Sequence, residues 1–211
     1  MRSLRFAALM ILATTAALAQ RWEFGAEGGA GLLNSVSASS PAGSATAGFA
    51  PGFVVGAFAG ENLYHNISGE FHYEYMQSDL RLSSGGQSAQ FSGDAHAFHF
   101  DLVFHTHPSN SHVQLFGAVG GGGKVFGGTG APEAAQPLSQ YGYFTKTQSF
   151  RGLLTVGAGI ACPLGSSVLL RAEVRDFITE FPTAVLTPPP GVKYGNWLNE
   201  LVPMVSIVFQ K

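Results

Sequence analysis

Apolar and polar residues alternate with a period of two through eight segments of this 211-residue chain. In the segment 66–77, for example, Phe71, Tyr73 and Tyr75 share one parity, and charged residues lie between them. Successive side chains of a β-strand point to opposite faces, so the pattern predicts strands with one apolar and one polar face. The predicted strands are Arg21–Leu33, Ala47–Gly60, Asn66–Gln77, Phe91–Thr106, His112–Phe126, Gln148–Cys162, Ser167–Ile178 and Trp197–Phe209.

The connections between these strands differ in length on the two sides. Those after the second, fourth and sixth strands are only a few residues long. Those after the first, fifth and seventh strands are long and rich in Gly, Ser and Pro, at 34–46, 127–147 and 179–196. Short turns on one side and long loops on the other are typical of bacterial outer-membrane barrels. The sequence therefore predicts an all-β fold, an eight-stranded antiparallel up-and-down transmembrane β-barrel.

The connection after the third strand contains Gly85-Gly86, a pair that favours a two-residue hairpin turn. A turn centred on this pair places Phe71 opposite Phe100 and His72 opposite His99. Apolar residues then meet apolar ones and polar residues meet polar ones, whereas a slip of one residue would mix the two faces. The turn therefore predicts the register of this hairpin.

Charged residues are scarce, with 11 basic and 13 acidic residues making up 11% of the chain, against roughly 25% in average soluble domains. This scarcity excludes nucleic-acid binders, coiled coils and disordered tails, which depend on many charges. On the polar faces, isolated charges are separated by Gly, Ala and Ser, as the narrow interior of an eight-stranded barrel requires. We expect the polar face to line the lumen and the apolar face to meet lipid. A soluble periplasmic β-barrel binding protein is an alternative.

The N-terminus has the organisation of a secretory signal peptide. Basic residues precede an apolar run at 6–18, and Ala17-Leu18-Ala19 is a small-residue cleavage motif. We predict a signal peptide at 1–19, with cleavage after Ala19 or Gln20, and a barrel domain at 20–211.

Three stretches of the mature chain carry a family resemblance. They are the first strand at Trp22–Gly29, the Arg-bearing penultimate strand at Leu170–Phe177 and the ending Val205–Phe209. Together they resemble the OmpA/OmpX-type family of small outer-membrane β-barrels. The resemblance implies location in the cell outer membrane and contact with outer-membrane lipid and lipopolysaccharide. It also implies recognition by the barrel assembly machinery through the C-terminal strand, although Gln210-Lys211 follow the usual aromatic end here.

Placing the polar faces inward collects most strand charges in the predicted lumen. The predicted lumen residues are Glu23, Glu27, Glu70, His72, Glu74, His99, Asp101, Lys124, Arg151, Arg171, Glu173, Arg175 and Glu200. Buried charges need partners, and the Arg guanidinium pairs well with carboxylates. We interpret this set as a structural salt-bridge network that fills the barrel. A narrow ion channel through the same residues is the alternative, because eight strands leave no room for a wide pore.

Two of these residues, His72 and His99, are flanked by Glu70 and Asp101. Imidazole and carboxylate groups on adjacent strands could bind zinc or nickel. A hydrogen-bonded lumen cluster is the interpretation that we favour, and we predict neither a metal nor a cofactor.

A third alternative is a lipid-A-modifying outer-membrane enzyme. Ser92, Asp94 and His96 share one parity near the outer end of the fourth strand, and such groups can form a hydrolytic site. Trios of this kind are common by chance on one strand face. We therefore predict a non-enzymatic outer-membrane barrel with a structural or surface-interaction role, no nucleic-acid partner, and loops as its interaction surface.

Overall fold

A computed structural model of the chain describes residues 22–33, 35–40, 43–106, 113–130 and 136–211. The predicted signal peptide lies outside these residues. The described strands are β1 (Trp22–Leu33), β2 (Val36–Ser40), β3 (Gly43–Phe49), β4 (Gly52–Tyr64), β5 (Ile67–Gln77), β6 (Leu80–Ser84), β7 (Gln87–Phe91), β8 (Gly93–His105), β9 (Gln114–Gly128), β10 (Tyr143–Phe144), β11 (Gln148–Pro163), β12 (Val168–Glu180), β13 (Leu186–Thr187), β14 (Lys193–Tyr194) and β15 (Trp197–Gln210). Within the described ranges, no helix is long and apolar enough to span a membrane.

Eight of these strands close into a barrel in the order β1-β15-β12-β11-β9-β8-β5-β4. Each barrel strand pairs antiparallel with the barrel strand that follows it in the chain, and β15 returns to β1. The predicted eight-stranded up-and-down barrel is confirmed. The predicted start of the second barrel strand at Ala47 is wrong, because β3 ends at Phe49 and β4 begins only after Pro51.

The hairpin register predicted from Gly85-Gly86 is confirmed. Phe71 pairs with Phe100 and His72 with His99. The two glycines have φ angles of +56° and +80°, the left-handed conformation that a two-residue turn between right-twisted strands requires. The same register continues from β5 and β8 into β6 and β7, so one unbroken hairpin runs from the barrel wall to the turn.

The long connections fold into a cap over one end of the barrel. A five-stranded sheet has the order β14-β2-β3-β6-β7, and β10 pairs with β13. We call these strands and their connections the cap, and the barrel opening beneath them the cap end. The sequence predicts a long connection and no strand at 34–46, whereas β2 and the first part of β3 lie there. Small Ala and Ser residues alternate there, so the apolar signal of a strand is weak.

The outward wall of the barrel is apolar. Its exposed large side chains include Phe24, Phe53, Phe71, Phe98, Phe100, Leu115, Phe150, Leu154, Val174, Val205 and Phe209. The outward carboxylates Asp94, Asp176 and Glu180 lie toward the cap end, and Asp176 accepts a hydrogen bond from Asn199 Nδ2 at 2.9 Å. An apolar wall around a charged interior is the inverse of a soluble barrel and suits a barrel surrounded by lipid.

The interior has two layers. A charged layer fills the middle of the lumen and the part farthest from the cap. Between this layer and the cap, seven barrel strands contribute apolar side chains to a buried cluster that continues into the cap. The barrel members of this cluster are Val54, Met76, Ala95, Ala97, Phe126, Leu153, Phe177, Leu198, Val202 and Met204.

Candidate functional site

Twelve of the thirteen predicted lumen residues are buried inside the barrel. They lie at alternate positions of β1, β5, β8, β9, β12 and β15, so the pleat of each strand turns them inward. Arg151 is the exception. It lies near the cap end of β11, is only half-buried, and donates from Nη2 to Thr183 Oγ1 of the cap at 3.3 Å. Arg151 has the inward parity that was predicted, shared with the buried Leu153 and Thr155, but no carboxylate in the described part of the chain forms an ion pair with it.

Each buried histidine lies between two carboxylates. His72 Nδ1 is 3.2 Å from Glu27 Oε1, and its Nε2 is 3.1 Å from Glu70 Oε2. The two ring nitrogens of a neutral imidazole cannot both donate, because the ring carries only one N–H. Satisfying both contacts therefore requires an imidazolium ring or a protonated carboxyl group.

His99 repeats this arrangement on the neighbouring strand. Its Nδ1 is 2.8 Å from Asp101 Oδ1, and its Nε2 is 2.8 Å from Glu74 Oε1. Thr155, a buried residue that the predicted set omitted, donates its hydroxyl to Asp101 Oδ1 at 2.7 Å. Its parity on β11 is that of the inward residues, so the alternation itself carried the signal.

The two imidazole rings lie face to face. Their centroids are 4.8 Å apart and their planes differ by 7°. Nitrogen lone pairs lie in the ring plane, so one metal ion cannot lie on the lone-pair axes of two parallel, stacked rings. His72, Glu74 and His99 do bring ligand atoms within 4.8 Å of one another, but Arg175 Nη1 also lies 3.5 Å from His99 Nε2. The geometry suits two stacked rings, each hydrogen-bonded to carboxylates, better than a metal centre.

Two arginines of β12 hold the carboxylates together. Arg171 Nη1 donates to Glu70 Oε1 at 2.8 Å, and its guanidinium lies over the rings of Phe58 and Phe116, 4.9 and 4.4 Å from their centroids. Arg175 approaches Asp101 Oδ2 at 3.0 Å and Glu173 Oε2 at 3.1 Å. Each guanidinium therefore bridges strands on opposite sides of the barrel.

The third buried cation, Lys124, closes the charged layer toward the cap end. Its Nζ forms an ion pair with Glu200, and it lies over the rings of Phe126 and Phe177 at 5.0 and 5.7 Å. Those two rings belong to the apolar layer above. The ion pair thus marks the boundary between the two layers of the lumen.

Buried acids outnumber buried bases in this layer. Its carboxylates are Glu23, Glu27, Glu70, Glu74, Asp101, Glu173 and Glu200. Against these seven, the described lumen supplies three Lys and Arg residues, so both histidines are needed as partners. The acidic excess explains why each ring is held by two carboxylates.

The trio of Ser92, Asp94 and His96 is only partly assembled. His96 Nε2 is 3.2 Å from Asp94 Oδ2, but its Nδ1 faces the Tyr73 hydroxyl at 2.9 Å. The hydroxyl group that contacts this histidine is thus that of a tyrosine of β5 and not that of Ser92. The alternation along β8 alone does not predict a partner on a neighbouring strand. The cluster lies on the outward wall toward the cap end, where aromatic and polar side chains mark a membrane interface.

A half-buried tyrosine links two segments of the cap. Tyr194 of β14 donates its hydroxyl to the Tyr141 carbonyl oxygen at 2.9 Å. Burial raises the pKa of the Tyr194 phenol, with the nearby Tyr143 adding to the effect. The group therefore remains a hydrogen-bond donor throughout the physiological range.

No protein-family model and no curated protein sequence matches the chain. Solved structures do match. Neisserial surface protein A is similar with a TM-score of 0.51 and 16% identity, over 87% of this chain and 96% of that one. The outer membrane protein OprG from Pseudomonas aeruginosa is similar with a TM-score of 0.57 and 13% identity, over 90% of this chain and 95% of that one. With its apolar wall and buried charges, the chain has the fold of the small eight-stranded outer-membrane β-barrels.

Proposed function

We propose that the chain is a non-enzymatic outer-membrane protein whose barrel is sealed and whose cap is displayed at the cell surface. The observation that carries this proposal is the apolar cluster that runs without a break from the upper lumen into the cap. A cap packed in this way is a rigid surface for interaction, and the apolar layer of the upper lumen beneath it opposes the passage of ions.

The contacts at this junction support the proposal. Phe49 of the cap stacks on Phe126 of the barrel, with ring centroids 5.5 Å apart, and meets Phe181 at 6.2 Å. Leu80 and Leu82 are fully buried on the inner face of β6. Burying a leucine side chain contributes about 1.5–3 kcal/mol, so these contacts favour the closed arrangement strongly. A narrow ion channel would need a polar path here.

The charged layer below has, in this proposal, a structural role. Its ion pairs connect β5, β8, β9, β12 and β15 across the lumen. Removing one member of a buried pair is much more costly than removing both. The layer therefore fixes the relative positions of strands that are not neighbours.

Export and assembly complete the proposal. The signal peptide at 1–19 would direct the chain out of the cytoplasm, and β15 would be recognised by the barrel assembly machinery. Val205, Ile207 and Phe209 form an exposed apolar row at the end of this strand. Phe209→Ala should lower the amount of barrel in outer-membrane fractions, whereas an unchanged amount would argue against recognition through this residue.

Cysteine labelling of intact cells tests surface display. In a Cys162→Ser background, Lys146→Cys in the cap should react with a membrane-impermeant maleimide, and Gly165→Cys in the opposite turn should react only after lysis. Both substituted residues are exposed, so differences in reaction report the side of the membrane. Labelling of Gly165→Cys and protection of Lys146→Cys in intact cells would overturn the proposal.

A further inference from the structure

The outer face of the cap sheet continues the lipid-facing wall upward. The register of β5 with β8 passes unchanged into β6 with β7, so side chains that point outward in the barrel keep their direction in the cap. On β5 and β6 this outward series runs from Phe71 and Tyr73 to Arg81 and Ser83. The face therefore stands beside the headgroups and sugars of the surrounding leaflet, above the acyl chains.

This face is built almost entirely of hydroxyl and amide groups. We call it the cap face; its outward side chains are Ser37, Ser39, Ser44, Thr46, Arg81, Ser83, Ser88, Gln90 and Lys193. Four of them, Ser37, Thr46, Ser83 and Ser88, are direct neighbours in register and form one row across β2, β3, β6 and β7. Adjacent strands are about 4.8 Å apart, so the row offers hydroxyl groups at regular spacing for hydrogen bonds to sugar hydroxyls.

Arg81 lies one step below this row, on the membrane side. Its register neighbours are Gln90 and Gly48, and Gly48 has no side chain to cover the guanidinium. Arg81 is exposed, and no hydrogen-bond or ion-pair partner for it exists among the described residues. The nearby Asp79 carboxylate is engaged elsewhere, accepting hydrogen bonds from Gln90 Nε2 and the Gly93 amide at 3.3 Å each.

Two depressions meet at Arg81. One of about 520 Å³ includes Ser37 and Ser88 in its lining, and another of about 350 Å³ lies beside it. Both are lined by Thr46, Arg81 and Ser83. An exposed guanidinium shared by two adjacent, largely hydroxyl-lined depressions is complementary to a sugar that carries a carboxylate or phosphate group.

We propose that the cap face binds the acidic core saccharide of lipopolysaccharide, with Arg81 contacting its anionic groups and the hydroxyl row contacting its sugars. The order of the groups on the cap face, counted outward from the membrane, supports this ligand. In such a glycolipid the acidic sugars lie next to the acyl chains and the neutral sugars lie farther out. On the cap face Arg81 lies next to the membrane and the hydroxyl row lies farther out. The inference rests on the proposed surface display of the cap.

Native mass spectrometry of the refolded mature chain tests the site. The probes are lipopolysaccharide with a complete inner core and lipid A alone. Wild type should retain the core-bearing probe better than lipid A, and Arg81→Ala should lower that retention roughly fivefold, the upper end for one exposed charge-assisted contact. The control is Lys146→Ala, which removes an exposed cap cation outside the cap face and should leave retention unchanged. Heat-dependent gel migration verifies that each variant is folded.

Three outcomes would overturn the inference: equal retention by wild type and Arg81→Ala, equal retention of both probes, or a protein dimer without bound lipopolysaccharide. Equal retention of both probes would assign binding to the lipid A phosphates or acyl chains instead. None of these outcomes alters maleimide labelling of Lys146→Cys, which lies outside the cap face, so failure of this inference is distinguishable from failure of surface display.

Discussion

Glu70 on β5 and Arg171 on β12 meet at 2.8 Å across the lumen, although they are 101 positions apart in the chain. Both side chains are almost completely buried. Arg171 Nη2 also lies 3.6 Å from Glu173 Oε2, so one guanidinium neutralises carboxylates from two strands. This relationship is the centre of the charged layer.

Arg171→Met is expected to destabilise the barrel by about 3–5 kcal/mol, because it leaves buried carboxylates without a partner. Urea unfolding in lipid vesicles measures the loss as a change in the free energy of unfolding. The double variant Glu70→Gln with Arg171→Met should recover part of it. A single variant within about 0.5 kcal/mol of wild type, the range of ordinary surface changes, would show that the pair is not structural.

Leu82→Ala should loosen the cap while the barrel remains folded. Leu82 is fully buried in the cap, and removing a buried leucine side chain costs about 2–5 kcal/mol. The variant should be cleaved faster by protease in the cap and still show heat-dependent gel migration. Ser83→Ala, the next residue on the opposite face of β6, is the matched control and should be cleaved like wild type. Equal cleavage of both variants would contradict a packed cap.

Gly86→Val should destabilise the hairpin tip by about 1–2 kcal/mol, because a β-branched residue is strained at φ near +80°. Gly152→Ala is the opposite case: an added Cβ meets nothing within 4 Å there, and alanine is favoured over glycine inside a strand. Unfolding free energies should therefore fall for the first variant and not for the second. Equal stability of Gly86→Val and wild type would contradict the two-residue turn.

Zinc or nickel should not bind stoichiometrically in the lumen, because the stacked rings of His72 and His99 cannot direct their lone pairs to one ion. The measurement is metal content after incubation with the metal salt and gel filtration, together with thermal stability before and after chelator treatment. One equivalent of metal that disappears in His72→Phe would refute this reading of the ring geometry.

Much of the barrel is predictable from sequence because lipid, strand pleat and closure impose the same period of two on every strand. The register around Gly85-Gly86 follows from the turn, and the inward position of Glu70, His72 and Arg171 follows from parity. Which of these groups meet is not predictable in this way. Contacts across the lumen depend on strand tilt and side-chain reach, as the pairing of His96 with Tyr73 also shows.

The cap escaped prediction for a different reason. In β2 and β3, Ala38, Ala45 and Ala47 take inward positions that leucine or phenylalanine takes elsewhere, so the alternation with serine has little hydrophobic contrast. The strands form because their inner face is covered by residues from distant connections, such as Phe144 and Phe181. The contact of Arg151 with Thr183 of the cap is another that the parity of a single strand does not predict.

Planar-bilayer recording of the refolded wild-type chain tests the sealed barrel most directly. The same preparation is first shown to be folded by heat-dependent gel migration. The apolar layer between Lys124 and the cap predicts no discrete current steps at either polarity. Reproducible open-channel steps from the folded wild type would contradict a sealed lumen.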